Sequence, residues 1–205
     1  MSKPVVWFDA DGVLLDFMSP FTKLPEFTRN NVKLSDIKDY DLAKYFGEGE
    51  VGKARFKTAL ADFYATSQFA SLDLLVNPVL LIALKQAGYE LRVITKVPEG
   101  VGRHARRLNL AQYGDVFSEV IIVDPNTCKV NFLRQWQHLK EPSAEYIVIE
   151  DDPNFLWSAD VDNAFTVYGI RHTYNQYIED KLENVWMYNN TKAVIKQLIT
   201  LTGNG

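Results

Sequence analysis

The 205-residue sequence predicts an α/β fold, a parallel sheet with helices on both faces, interrupted by a helical insertion. Three observations carry this. Short, unbroken apolar runs rich in β-branched and aromatic residues recur along the chain, as buried strands do. Helix-spaced stretches alternate with them, the pattern of parallel strands joined by crossover helices. One long early stretch has helical spacing and no strong strand run.

Residues 5–8, Val-Val-Trp-Phe, predict the first strand. In the stretch that follows, residues 53–65 are amphipathic, with Ala54, Phe56, Leu60, Phe63 and Tyr64 on the apolar side. Ser35, with Lys38 and Asp39, is a candidate start for another helix. A structureless loop of this length is unusual within a domain. Residues 18–76 are therefore expected to form an inserted helical subdomain, and residues 1–17 and 77–205 the α/β core. Residues 78–87 open with proline and stop before Gly88, which are helix start and stop signals. Strands are then expected at 91–94, 120–123 and 146–149, with a weaker one at 165–170. Helices are expected at 99–108, 130–139 and 192–202, the last behind the cap candidates Asn190 and Thr191. This order implies a Rossmann-like sheet.

With 22 basic and 26 acidic residues the net charge is −4, so no global field attracts nucleic acid or an anionic membrane. The single cysteine, Cys128, permits no internal disulfide and fits a reducing compartment. Two Asp interrupt the N-terminal residues before a secretory apolar region can form. The longest apolar run noted, residues 79–84, is far below the roughly 20 residues needed to span a bilayer. The expectation is a cytoplasmic protein without a membrane partner. A homodimer stays open.

Three predicted strands end in polar residues. The first ends at Asp9-Ala10-Asp11-Gly12, the second at Thr95-Lys96 and the fourth at Glu150-Asp151-Asp152. Parallel sheets bind ligands outside the carboxyl ends of their strands, so these groups are expected on one rim. Two carboxylates 4 Å apart repel by roughly 4 kcal/mol at an effective dielectric near 20. Such a cluster calls for a cation or raised pKa values. An all-oxygen ligand set favours Mg²⁺ over zinc. Some of these Asp residues also suit helix N-caps.

Residues 5–14, an apolar strand followed by Asp9-Ala10-Asp11-Gly12-Val13, resemble the first motif of the haloacid dehalogenase (HAD) superfamily. The strand ending in Thr95 resembles its second motif, Lys129 at a helix start its third, and residues 147–152 its acidic fourth. The four stand in the family's order across nearly the whole chain.

The resemblance implies a HAD-like core and a set of roles. Asp9 would be the nucleophile that forms an aspartyl-phosphate. Asp11 would be the general acid and then base, with its backbone carbonyl on Mg²⁺. Asp151 would be the acidic metal ligand beside Asp9, with Asp152 behind it or in its place. Thr95 would bond a phosphoryl oxygen, and Lys129 would neutralise charge, with Lys96 as the rival lysine. Gly12 would let the backbone approach the phosphate. The family's dehalogenases lack an acid at the second position because a halide leaves without a proton, so Asp11 points to phosphoryl transfer.

The 83 positions between Asp11 and Thr95 leave room for the family's helical cap, which favours small phosphate esters. Residues 12–17, 39–46 and 149–154 are similar to the 5′(3′)-deoxyribonucleotidase-like group. That likeness implies a nucleoside monophosphate as substrate, with Phe17 and Phe69 against the base. A sugar phosphate, or a silent phosphate-binding module, is the alternative. All four Trp lie outside the cap segment.

Other signals carry less. Residues 47–52 match GxGxxG but follow no strand, and Glu48 and Glu50 would repel a pyrophosphate. The three His match no zinc spacing. Cys128 reads as a buried structural thiol. Asn189-Asn190-Thr191 is a glycosylation sequon without use in a reducing compartment. Arg103, His104, Arg106 and Arg107 read as a solvated basic helix face, with a nucleic-acid end as a minor option.

Overall fold

The computed structural model describes residues 3–203. After β1 (Val5–Phe8) come α1 (Met18–Phe21), α2 (Pro25–Arg29), two 3-10 turns at Leu34–Asp36 and Leu42–Phe46, α3 (Gly49–Tyr64) and α4 (Ser67–Ala70). The chain continues through α5 (Pro78–Gln86), β2 (Glu90–Lys96), α6 (Val101–Ala111), β3 (Glu119–Val123), α7 (Lys129–Lys140) and β4 (Tyr146–Glu150). It ends with α8 (Pro153–Asp162), β5 (Thr166–Ile170), α9 (Gln176–Glu179), β6 (Val185–Tyr188) and α10 (Thr191–Gly203). The strands form one six-stranded parallel sheet in the order β3-β2-β1-β4-β5-β6.

Alternate strand residues feed two apolar layers. Val6 and Phe8 of β1 join Leu91, Val93, Ile147 and Ile149 on one face, with Leu81, Leu84, Val194 and Leu198 of α5 and α10. Val5 and Trp7 join Ile94, Tyr146 and Val148 on the other, with Leu133 of α7 and Leu156 of α8. The order in which successive strands are added reverses between β1 and β4, so the carboxyl ends of these two parallel strands open a crevice.

Between β1 and α5 the described chain is helical apart from turns, and its ends run side by side. The Asp16 N–H donates to Asp73 O at 2.9 Å and the Leu75 N–H to Leu14 O at 2.8 Å. The inserted part is held by an aromatic cluster in which Phe21, Phe27, Phe63 and Phe69 are all buried. Phe21 lies 5.6 Å from Phe27 and 5.3 Å from Phe63, edge to face. Each such buried ring contributes on the order of 1.5–3 kcal/mol.

Several local readings differ from the structure. Ser35 opens no α-helix, since Leu34–Asp36 is a single 3-10 turn. Asp39 and Asp41 spend their side chains on the next turn, accepting from Asp41 N–H and Ala43 N–H at 3.0 Å each. The helix expected from residue 53 starts at Gly49. The GxGxxG stretch is a packing device: a Cβ on Gly52 would lie 2.0 Å from Gly47 O, so only glycine lets α3 sit on the preceding turn. Two helices and one strand are not among the elements that the sequence patterns predict. α8 is capped by Asp152, whose carboxylate accepts from Asn154 N–H at 2.9 Å. α9 is a single short helix. β6 is a half-exposed edge strand whose Trp186 faces out, so it lacks the apolar run that marks the central strands. No helix among the described residues is long and apolar enough to cross a membrane.

Candidate active site

The polar strand ends converge as their positions require. Asp9 N–H donates to Ile149 O at 2.9 Å, which locks the exit of β1 beside that of β4. The loop then turns back: Leu14 N–H and Leu15 N–H both reach Ala10 O, at 2.9 and 2.8 Å. Distant groups clamp it. Thr191 Oγ1 donates to Val13 O at 2.8 Å and the Tyr113 hydroxyl to Leu14 O at 2.5 Å. Gly12 has φ +72°, and a Cβ there would fall 2.3 Å from Asp151 Oδ2. Both facts require glycine.

A cavity of about 500 Å³ opens above this loop. Asp9, Asp11, Gly12, Thr95, Lys96, Lys129, Glu150, Asp151 and Asp152 line its floor. Tyr40, Leu42, Phe56, Leu60 and Tyr64 line its inserted wall together with Phe17. Phe69 lies outside it: the ring is wholly buried, packed on Tyr64 at 4.7 Å and Phe63 at 5.7 Å. The expectation of a substrate contact from Phe69 is corrected accordingly, because the aromatic core leaves its ring no open face.

Lys129 donates to Asp9 Oδ1 at 2.8 Å and to Glu150 Oε2. Burial disfavours its charge, but Asp9 and Glu150 outweigh that and hold the ammonium above its ordinary range. Burial, then the Asp9 charge, pushes Glu150 up to about 7 against the pull of Lys129. The second Glu150 oxygen accepts from the N–H groups of Asp151 and Asp152, at 3.0 and 3.2 Å. Both its oxygens are thus engaged, and Glu150 orients Lys129 and the following turn. Lys96 stands farther off, 3.9 Å from Asp152 Oδ2.

Asp151 receives the Tyr174 hydroxyl on Oδ2. Burial and then the charge of Glu150 raise its pKa well above the carboxylate range. Asn175 braces the same turn, donating to Asp151 O at 2.9 Å and Ile170 O at 2.8 Å. His172 Nε2 lies 2.9 Å from Gly12 O, its ring stacked 5.0 Å from Tyr174. Tyr174 in turn meets Tyr40 of the insertion at 5.7 Å.

Asp9, Glu150 and Asp151 can bring three carboxylate oxygens within 4.8 Å of one another. With Asp152 they make four buried carboxylates beside one buried ammonium. That excess of negative charge, and a donor set of oxygen alone, fits a hard divalent cation. The side chain of Asp11 is outside the cluster. It is bound instead by Arg106, whose Nη2 lies 2.6 and 2.5 Å from its two oxygens. Burial raises the Asp11 pKa, and Arg106 opposes that.

Arg106 overturns the reading of a fully solvated basic helix face. His104 and Arg107 are exposed and Arg103 half-buried, but Arg106 is wholly buried. Cys128 is likewise corrected: it is exposed at the start of α7. The sequence patterns give no site role to Tyr174, His172, Asn175 or Tyr40, and the basic-face reading places Arg106 on the wrong side of its helix. Tyr40 carries a signal as part of the stretch 39–46, and Arg106 through its helical spacing from Gly102 and Leu110.

No protein-family model and no curated protein sequence matches the chain. Solved structures do. A candidate phosphoglycolate phosphatase from Lactobacillus delbrueckii subsp. bulgaricus superimposes with TM-score 0.67 at 13% identity, over 97% of this chain and 99% of that one. Protein tyrosine kinase A from Mycobacterium tuberculosis gives 0.67 at 19%, over 96% and 98%. An L-2-haloacid dehalogenase gives 0.56 at 14%, over 96% and 100%. The chain therefore has a haloacid dehalogenase-like fold. These similar structures carry phosphatase, kinase and dehalogenase names, so activity has to be argued from the site.

Proposed function

We propose that this protein is a Mg²⁺-dependent phosphomonoesterase that hydrolyses nucleoside monophosphates through an aspartyl-phosphate. One observation carries the reading: Asp9, with Lys129 at 2.8 Å, and Asp11 stand two residues apart at the end of β1, lining one cavity with Thr95 and Asp151. Asp9 is the nucleophile toward phosphorus. Lys129 and Thr95 meet the phosphoryl oxygens, where charge builds in the transition state. Asp11 protonates the departing ester oxygen and then takes a proton from the attacking water, a role worth about 10²–10⁴-fold. Asp9 and Asp151 would hold the cation, with the Asp11 carbonyl. When bound it neutralises phosphoryl charge as a Lewis acid. Asp11 favours this chemistry over carbon–halogen hydrolysis, since a halide needs no proton.

The nucleoside preference rests on the cavity wall. Its cations, Lys96 and Lys129, are at the floor, while Phe17, Met18, Leu42, Phe56, Leu60, Tyr40 and Tyr64 supply apolar and aromatic surface to the rest, beside Asp41, Asn154 and Tyr174. An aromatic base suits such a wall, at roughly 1–3 kcal/mol per stacked ring.

The test is phosphate release with Mg²⁺ from 5′- and 3′-mononucleotides, deoxynucleotides and sugar phosphates, beside Asp9→Asn. Release from nucleotides, lost in Asp9→Asn and with chelator, is expected. Faster release from sugar phosphates would overturn the nucleoside preference. Nucleotide binding without any release would mark a silent binding module.

A further inference from the structure

The clamp on Asp11 has no evident structural purpose. Arg106 is wholly buried and spends one nitrogen on Asp11, while its Nε and Nη1 have no hydrogen-bond partner among the described residues. Burying an under-satisfied guanidinium disfavours folding relative to an apolar side chain of similar size. Its surroundings are nevertheless built to hold it still. Its Cζ lies 4.9 Å over the Phe69 ring. One turn further along α6, the buried Asn109 donates to Phe69 O at 2.7 Å and accepts from Leu72 N–H at 3.1 Å. The helix that carries Arg106 is thus tied to the end of the insertion. The Asp11 side chain keeps 26% of its surface open, beside the cavity.

We propose that Arg106 is the positioning residue of the proton-transfer step, fixing the Asp11 carboxyl at the cavity wall where a bound ester oxygen meets it. This rests on the phosphomonoesterase reading above. In the first half-reaction an Asp9 oxygen bonds to phosphorus, the bond to the ester oxygen breaks, and Asp11 gives that oxygen its proton. In the second, water bonds to phosphorus, the bond to Asp9 breaks, and Asp11 takes the proton from water. Ester and water become alcohol and phosphate, and Asp11 ends as it began. Arg106 touches no reacting atom, so its whole effect runs through Asp11.

Leaving-group dependence separates this from a merely structural role. A nucleoside 5′-monophosphate departs as an alkoxide and needs the proton, whereas p-nitrophenyl phosphate departs as a stable phenolate and scarcely does. Arg106→Met is expected to lower kcat on the nucleotide by about 10²-fold and on p-nitrophenyl phosphate by less than about 10-fold, with KM little changed. Arg106→Lys should restore part of the nucleotide rate. Asp11→Asn should show the same leaving-group signature, and adding Arg106→Met to it should subtract nothing further. Should Arg106→Met fail to fold by circular dichroism, the same ratio is read in Arg106→Lys. Equal losses on both substrates, a change in KM alone, or additive losses in the double variant would overturn the positioning role while leaving the phosphatase reading intact. A folded wild-type protein that releases phosphate from neither ester, with Mg²⁺ present, would overturn both.

Discussion

Gly12 and Asp151 are 139 positions apart in sequence, yet a single methyl group on Gly12 would stand 2.3 Å from the Asp151 carboxylate. The loop after β1 and the β4 exit are packed against each other with no room for a side chain at Gly12. Gly12→Ala therefore meets two penalties, a left-handed backbone at φ +72°, which disfavours alanine by about 1–2 kcal/mol, and displacement of a proposed metal ligand. The expected result is a lower Tm together with loss of the stabilisation that Mg²⁺ gives the wild type. That stabilisation should be about 2.7 kcal/mol at a concentration 100-fold above Kd. Thermal unfolding with and without Mg²⁺ checks this, and Asp151→Asn should lose the same shift without the backbone strain.

Lys129 bridges two buried carboxylates, those of Asp9 and Glu150. Lys129→Met leaves both without a counter-charge and should destabilise the fold by about 3–5 kcal/mol. The double variant Lys129→Met/Glu150→Gln removes one of the stranded charges and should regain part of that loss. Urea denaturation measures both. A double variant no more stable than the single one would show that repulsion across the site is not the source of the cost.

Tyr40 and Phe69 separate substrate contact from packing. Phe69→Ala empties a wholly buried site and should cost about 3–5 kcal/mol in unfolding free energy. Tyr40→Ala removes a ring that lines the cavity and is 41% exposed, so stability should hardly change while KM for nucleotides rises several-fold. Parallel denaturation and steady-state kinetics would reveal the reverse pattern at once.

Glu141 provides the pH dependence far from the site. Its carboxylate takes Arg92 Nη1 at 2.9 Å and the Tyr146 hydroxyl at 2.7 Å. The Arg92 hydrogen bonds hold its pKa below the ordinary glutamate value of 4.5. A group with a depressed folded pKa adds stability above its unfolded pKa and loses it as pH falls through the folded one. The stability gap between wild type and Glu141→Gln should thus be full at pH 6–7 and shrink below about pH 4.5. Denaturant midpoints at a series of pH values measure the gap.

The central strands and the residues at their ends were legible in the sequence because both are local facts. An apolar run such as Val5-Val6-Trp7-Phe8, short and rich in β-branched and aromatic residues, fits a strand covered on both faces, and the Asp that follows it then falls on the rim. Parallel connectivity then brings Asp9, Thr95 and Asp151 to one side without further instruction. Edge strand β6 escaped notice because a half-exposed strand needs no such run. Only the tertiary structure decided what Arg106 of α6 meets. Helical spacing puts Arg106 on the face of Gly102, Asn109 and Leu110, which is the buried one, but which carboxylate it meets there, 95 residues away, is set by the tertiary fold. Tyr174 and His172 were silent for the same reason, since their partners, Asp151 and Gly12, lie 23 and 160 residues back. A buried polar group is held by the partner that satisfies it, and when that partner is remote in sequence, no local pattern records the pairing.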